Sequence, residues 1–140
     1  MSLPAVLAPL FVQVALTFGL MCWLAYNRVT LIGSGAVKRK DIALREPNWP
    51  TRVLQIQNAV YNQFEIPFLF YVLTILAIVT RHADLLFVVL AWVFVLLRLV
   101  HAYIHVTSNE VQRRGLVFIT GATVLMVMWA IFMLRILTST

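Results

Sequence analysis

Residues 51–106 read TRVLQIQNAVYNQFEIPFLFYVLTILAIVTRHADLLFVVLAWVFVLLRLVHAYIHV. Two apolar runs, residues 66–79 and 85–97, stand on either side of the short link Thr80–Asp84. A link this short joins two neighbouring helices only as an antiparallel hairpin. Polar side chains follow at the far end of both runs, so each helix crosses a bilayer only if its polar half also enters the membrane.

The whole chain has the composition of a membrane protein. Of its 140 residues, 62% are hydrophobic and 11% are charged, whereas soluble domains have roughly 45–50% apolar and about 25% charged residues. A domain of this size leaves too much surface exposed to hide such an apolar excess from water. A soluble enzyme and a disordered chain are therefore excluded. The net charge of +6 does not indicate nucleic acid as a partner, because the basic residues are gathered between apolar spans.

Four segments are long and apolar enough to cross a bilayer, which takes about 20 residues each. They are predicted at residues 3–26, 52–79, 85–106 and 115–137. The first segment has no basic region before it and is long enough to span, so we expect a transmembrane helix rather than a cleaved signal peptide. The predicted fold is all-α, with residues 1–140 forming one integral-membrane domain, a four-helix transmembrane bundle.

The basic residues are divided unequally between the two sides of this bundle. The side that holds the loops after spans one and three has Arg28, Lys38, Arg39, Lys40, Arg45, Arg52, Arg113 and Arg114. The opposite side has only Arg81 and Arg135. By the positive-inside rule, the sequence predicts a multi-pass protein with both basic loops in the cytoplasm and both termini on the opposite face.

Two polar stripes with the same spacing lie on the central hairpin. Span two carries Gln55, Asn58, Asn62 and Glu65, and span three carries Arg98, His101, His105 and Ser108. Steps of three and four residues place each set on one helix face. Folding the hairpin sets Glu65 opposite Arg98, Asn62 opposite His101, Asn58 opposite His105 and Gln55 opposite Ser108. Glu65 and Arg98 then lie roughly 24 Å from the link, inside a hydrocarbon layer about 30 Å thick.

A charged pair at this depth needs compensation. An unpaired carboxylate or guanidinium there would cost several kcal/mol, so we expect Glu65 and Arg98 to compensate each other, directly or through a neighbour. Such a pair could serve only to fix the register of two helices. Eight polar residues in register, two of them imidazoles, exceed what helix association requires. The pattern therefore favours a polar cleft open to the cytoplasm.

The spacing of His101 and His105 would also suit a metal ion. Two imidazoles one turn apart, with Glu65 nearby, are the ligands of a zinc or iron site. Arg98 and Arg114 would repel a cation at this place. We therefore predict no metal.

The segment Asn62-Gln63-Phe64-Glu65-Ile66-Pro67-Phe68 is an Asn-x-x-Glu motif followed shortly by Pro-Phe. It resembles the helix-two signature of the MAPEG family, the membrane-associated proteins of eicosanoid and glutathione metabolism. The run Arg98-Leu99-Val100-His101, with Arg114 further on, is similar to the family's Arg-x-x-His…Arg pattern. Length, four spans, a basic first loop and the placement of the termini also agree. The resemblance to a bacterial-type member thus covers nearly the whole chain.

The resemblance implies a homotrimer in contact with membrane lipids, with glutathione as co-substrate at subunit interfaces on the cytoplasmic side. Family enzymes add the glutathione thiolate to small lipophilic electrophiles or reduce lipid peroxides. Carried over by position, Asn62 and Glu65 would contact the backbone and amino groups of the peptide, and Arg98 and His101 would support its carboxylates. Asn58 and His105 are expected to extend the same binding site.

The catalytic role in this resemblance belongs to Arg114, which would stabilise the thiolate. A cation near a thiol lowers the thiol pKa. The adjacent Arg113 is the alternative candidate for this role.

The chain departs from the family pattern at several positions. Gln55 and Asn58 stand where glutathione-using members carry arginines, His105 stands where a tyrosine is common, and Pro67 follows the glutamate earlier. A tripeptide with two carboxylates needs cationic partners. The departures leave a second interpretation open, a non-catalytic relative that binds a lipid or a membrane-protein partner, as the lipoxygenase-activating branch of the family does.

Overall fold

The computed structural model describes residues 1–139, which form helices joined by short loops, with no strand in that range. In chain order the helices are α1 (Leu3–Gly33), α2 (Thr51–Asn62), α3 (Ile66–Val79), α4 (Leu85–Val106) and α5 (Val111–Thr138). A 3₁₀ turn at Arg39–Asp41 interrupts the long first loop. Four stretches are long and apolar enough to cross a membrane, namely α1, α2 with α3, α4, and α5. The predicted all-α, four-helix transmembrane fold is confirmed.

Helix α1 continues past Tyr26, where the first apolar span was predicted to end. Its N-terminus is capped by the Ser2 side chain, which accepts from the Ala5 amide. The helix ends at Gly33, and Gly35 then adopts a φ of 79°, a left-handed conformation that glycine takes without steric cost. The first loop therefore starts beyond the apolar span.

Span two is broken inside its length. Helix α2 ends at Asn62 and α3 begins at Ile66, and the amides of residues 63–65 each bond three residues back instead of four. Pro67 has no amide proton, so it cannot continue the helical ladder across this point. The helix that carries the predicted polar face is therefore interrupted after Asn62, but a tighter turn keeps residues three apart on the same side, so Glu65 still contacts Asn62.

Helix α4 is the central helix and contacts α1, α2 and α5. One apolar cluster joins α1, α3, α4 and α5 and includes Phe70 and Phe94, whose ring centroids are 4.9 Å apart. A second cluster joins α1, α2 and α4 and includes the fully buried Ile56 and Ala59. Along α4, Arg98 falls between the residues of the two clusters. The polar site thus lies where the two apolar clusters meet.

The Thr80–Asp84 link and the C-terminal part of α5 are tied together at the opposite end. Arg135 donates to the Asp84 carboxylate at 2.7 Å, and the other Asp84 oxygen accepts from the Phe87 amide at 2.9 Å, which caps α4. Partial burial raises the pKa of Asp84, but the Phe87 amide and Arg135 together lower it by more. The pKa of Asp84 therefore lies below its ordinary value.

Candidate functional site

The Arg98 guanidinium donates hydrogen bonds to the C-terminal end of α2. Arg98 is 2% exposed, and its Nη2 donates to Asn62 Oδ1 at 2.5 Å and to the Asn62 main-chain oxygen at 3.3 Å. Carbonyl groups at a helix C-terminus lack intrahelical partners, and the helix dipole favours a cation there. Because α2 ends inside the membrane-spanning stretch, its terminal oxygens compensate a buried charge that would otherwise cost several kcal/mol.

Two buried glutamines extend this network to α1. Gln13 is 0% exposed and its Nε2 donates to Gln63 Oε1 at 2.9 Å. The same Gln63 oxygen accepts from Arg98 Nη2 at 3.3 Å, and Gln63 Nε2 donates to the Ala59 carbonyl oxygen at 2.9 Å. One side chain in the helix break therefore joins α1, α2 and α4.

The sequence analysis missed both glutamines. Gln63 lies one position outside the predicted stripe, on the buried face of span two that also carries Ile56 and Val60. A signal for Gln13 was available, since it is the one amide side chain in the first apolar span. Strongly polar groups in transmembrane helices face the bundle interior.

Glu65 does not pair directly with Arg98. It is exposed at the helix break, and its Oε2 accepts from Asn62 Nδ2 at 3.4 Å. Asn62 therefore stands between the two charges, with its oxygen on Arg98 and its nitrogen on Glu65. The directly facing Glu65–Arg98 pair is wrong, and the compensation runs through a neighbour. Within residues 1–139 the ion pairs are Arg135 with Asp84 and Arg113 with Glu110, so Glu65 has no cationic partner there.

The two imidazoles are buried between α4 and α5. His101 and His105 have ring centroids 5.5 Å apart, and His101 also lies 5.7 Å from the Phe118 ring of α5. Neither histidine bonds the asparagine predicted to face it, and Asn62 Oδ1 accepts from Arg98 instead. In the described part of the chain, both Nδ1 atoms are buried without a hydrogen-bond partner, and no third metal-ligating side chain joins them.

The two candidate arginines on α5 have different surroundings. Arg114 is half-buried, donates to Asn109 Oδ1 and lies close enough to His105 to interact with it electrostatically. Arg113 is exposed and pairs with Glu110 at 3.0 Å. Arg114 is therefore the arginine that shares the site with the imidazoles.

Asn58 and Gln55 lie on the same helix as Asn62 but outside the network. Asn58 is exposed, Gln55 is half-buried, and neither side chain forms a hydrogen bond within residues 1–139. The structure thus brings together Asn62, Glu65 and Arg98 on one side and His101, His105 and Arg114 on the other. Arg98 and His101 lie one turn apart on α4 and connect the two groups.

The comparison with known families agrees with the fold. Residues 6–134 match the MAPEG family. Because this match spans nearly the whole chain, the protein belongs to the MAPEG family. It is a multi-pass membrane protein in contact with lipids. No curated protein and no solved structure matches the chain significantly.

Proposed function

We propose that this protein is a glutathione-dependent transferase or peroxidase that acts on small lipophilic electrophiles. In this proposal three chains form a homotrimer, and glutathione binds between subunits on the cytoplasmic side of the membrane. The observation that carries the proposal is the exposed Glu65 carboxylate at the helix break, with Asn62 held beside it by Arg98. A carboxylate at this depth is costly against hydrocarbon, so an ammonium group or a second chain that covers it would stabilise the protein.

We assign different roles to Glu65, Asn62 and Arg98 from their contacts. Glu65 binds the amino group of glutathione, and Asn62 presents its amide to the peptide. Arg98 is almost fully buried against α2, so it acts as a positioning residue for Asn62 rather than as a partner of a glutathione carboxylate. This assignment replaces the role that the family resemblance implied for Arg98.

The reactive end of glutathione belongs beside Arg114. A guanidinium near the sulfur favours the thiolate over the thiol. The thiol proton passes to solvent, the sulfur forms a bond to the electrophilic carbon, and the displaced group leaves with the electrons of its own bond. His101 and His105 lie next to the same region, with their Nδ1 atoms buried between α4 and α5.

A second function is favoured by the neutral side chains at Gln55 and Asn58. Glutathione has two carboxylates, and Arg98 is already bonded to α2. A protein with so few free cations at this site suits a less charged ligand. The alternative is therefore a non-catalytic relative that binds a lipid or a membrane-protein partner.

The thiolate itself distinguishes the two functions. Purified protein is titrated with glutathione, and the ultraviolet absorbance of the thiolate is recorded against S-methylglutathione, which has no thiol. We expect the thiolate band in the wild type and in Arg113→Ala, and its loss in Arg114→Ala. Glu65→Gln should weaken glutathione binding roughly 10- to 100-fold, the equivalent of one lost charge-assisted contact. Absence of any thiolate signal from the wild type at millimolar glutathione would contradict the glutathione-dependent function and favour the non-catalytic one.

The proposed assembly has its own measurement. Native mass spectrometry of the detergent-solubilised protein should give the mass of three chains. A monomer that still binds glutathione would contradict the interface location of the site.

A further inference from the structure

A second polar cavity, separate from the Arg98 network, lies between α1, the first loop and α2. Its volume is about 430 Å³, and its polar and aromatic lining consists of Arg28, Arg45, Glu46, Trp49, Gln57 and Tyr61. Its size falls in the range of about 300–1,000 Å³ that is usual for small-ligand sites. We propose that this cavity binds the headgroup of an anionic phospholipid, with the phosphodiester held by Arg28 and Arg45.

The Arg28 guanidinium is held in place before any ligand arrives. Its Nη2 donates to Gln57 Oε1, and its Cζ lies 5.2 Å from the centroid of the Trp49 ring. Its Nε is buried and has no hydrogen-bond partner among residues 1–139. A buried N–H without an acceptor is unfavourable. An oxyanion in the cavity would accept from the Nη donors that Gln57 does not use, and phosphate oxygens match the planar fork of arginine donors.

Arg45 approaches the cavity from the loop with an unusual backbone. Its φ is 64°, in the left-handed region that non-glycine residues occupy rarely, and its amide donates to the Ile42 carbonyl at 3.2 Å. Residues held in such conformations cluster at binding and catalytic sites. The neighbouring Glu46 carboxylate is fixed by the Leu44 amide at 3.0 Å. The backbone thus holds both charged side chains of the loop at the cavity.

The charge of the lining selects the kind of headgroup. Two guanidinium groups and one carboxylate leave a single net positive charge in the cavity. A phosphodiester with an uncharged alcohol carries one negative charge and neutralises it. A zwitterionic choline headgroup would leave the charge in place and would bring a second cation beside Arg28.

The position of the cavity favours a membrane lipid over free phosphate. Arg28 follows Tyr26, the last residue of the first apolar span. Trp49 and Tyr61 are the amphipathic aromatic residues that occur at the headgroup level of membranes. Basic pockets between transmembrane helices at this level bind anionic headgroups. This inference does not depend on the proposed glutathione chemistry.

Competitive lipid binding tests the proposal. The full-length protein is incubated with equal amounts of phosphatidylglycerol and phosphatidylcholine, and the retained lipid is counted by native mass spectrometry. We expect the wild type to retain phosphatidylglycerol, and Arg28→Gln and Arg45→Gln to retain about tenfold less. The matched control is Arg39→Gln, which removes one positive charge from the loop that carries Arg45 but not from the cavity lining, and it should retain phosphatidylglycerol within twofold of the wild type. Arg28→Lys, which keeps the charge without the fork, should also lose retention.

Each of four results would overturn the proposal. Equal retention of the two lipids would remove the charge selection, and an equal loss in Arg39→Gln would point to diffuse attraction by the basic loop. Thermal protection by inorganic phosphate as strong as that by phosphatidylglycerol would make the ligand a soluble anion. If Arg28→Gln does not fold, the test rests on Arg45→Gln, because Arg45 is an exposed loop residue. Unchanged phosphatidylglycerol retention in that variant refutes the site.

Discussion

The contact between Arg98 and Asn62 gives the sharpest prediction about stability. Replacing Asn62 by leucine keeps the number and branching of the side-chain heavy atoms but removes the oxygen that lies 2.5 Å from Arg98 Nη2. The guanidinium retains the Asn62 main-chain oxygen at 3.3 Å and Gln63 Oε1 at 3.3 Å. The variant therefore loses one of three contacts to a buried charge and does not leave the charge wholly unpaired.

The size of the effect follows from this count. A hydrogen bond to a charged group contributes about 1.5–3 kcal/mol, whereas measured side-chain couplings inside membrane proteins average about 0.6 and reach about 1.7 kcal/mol. We expect Asn62→Leu to lower the free energy of unfolding by about 2 kcal/mol. Glu65→Gln should change it by less than about 0.5 kcal/mol, because Glu65 is exposed and its contact with Asn62 is long, at 3.4 Å.

The assay is reversible unfolding in mixed micelles, with the denaturing detergent as the titrant. Asn58→Leu is the matched control, since it is the same substitution one turn earlier on an exposed position of α2, and it should lie within about 0.5 kcal/mol of the wild type. Double-mutant cycles with Arg98→Met then give the two coupling energies. A coupling of Arg98 with Glu65 that exceeds its coupling with Asn62 would refute the bridged arrangement and restore a direct ion pair.

Two further predictions concern the ends of the polar network and of the bundle. Gln63→Leu should destabilise the protein more than Gln13→Leu in the same mixed-micelle assay, because Gln63 contacts Gln13, Arg98 and the Ala59 carbonyl while Gln13 donates to Gln63 alone; a larger loss from Gln13→Leu would place the centre of the network on α1. The pKa of Asp84 lies below its ordinary value in the folded protein, so its stabilisation is present above the unfolded pKa of about 3.9 and is lost as the pH falls through the folded pKa. The free energy of unfolding, measured from pH 5 downward, should therefore fall less steeply in Asp84→Asn than in the wild type. The difference should be less than about 1 kcal/mol, since the ion pair is partly exposed. Parallel pH profiles would exclude a role for this pair.

The sequence was enough to predict the architecture because hydrophobic length is its plainest signal. Each of the four apolar stretches exceeds what a bilayer needs, and the short Thr80–Asp84 link leaves one way to join the middle pair. The stripe spacing also located the level of the site, since Arg98 and Asn62 do meet across the hairpin.

The partners within the site could not be predicted in the same way. The pairing of Glu65 with Arg98 assumed one regular helix through residue 65, whereas α2 ends at Asn62 and Arg98 bonds that residue instead. Periodicity assigns faces only where the helix is continuous. It also selects only residues that repeat at helical steps, so it passed over Gln63, which lies off the stripe, and the single amide Gln13, both of which are buried. The first-loop cavity has no spacing pattern, because its lining comes from α1, α2 and a loop.

The division of span two has a mechanical consequence. In an unbroken helix, tilting one half moves the other, since consecutive turns share hydrogen bonds. At residues 63–65 the amides bond three residues back instead of four, and α2 is attached to α4 by Arg98 and by the second apolar cluster. A load applied to α2 from the aqueous side is therefore carried sideways into the central helix, and the lower segment α3, packed through Phe70, keeps its orientation in the lipid.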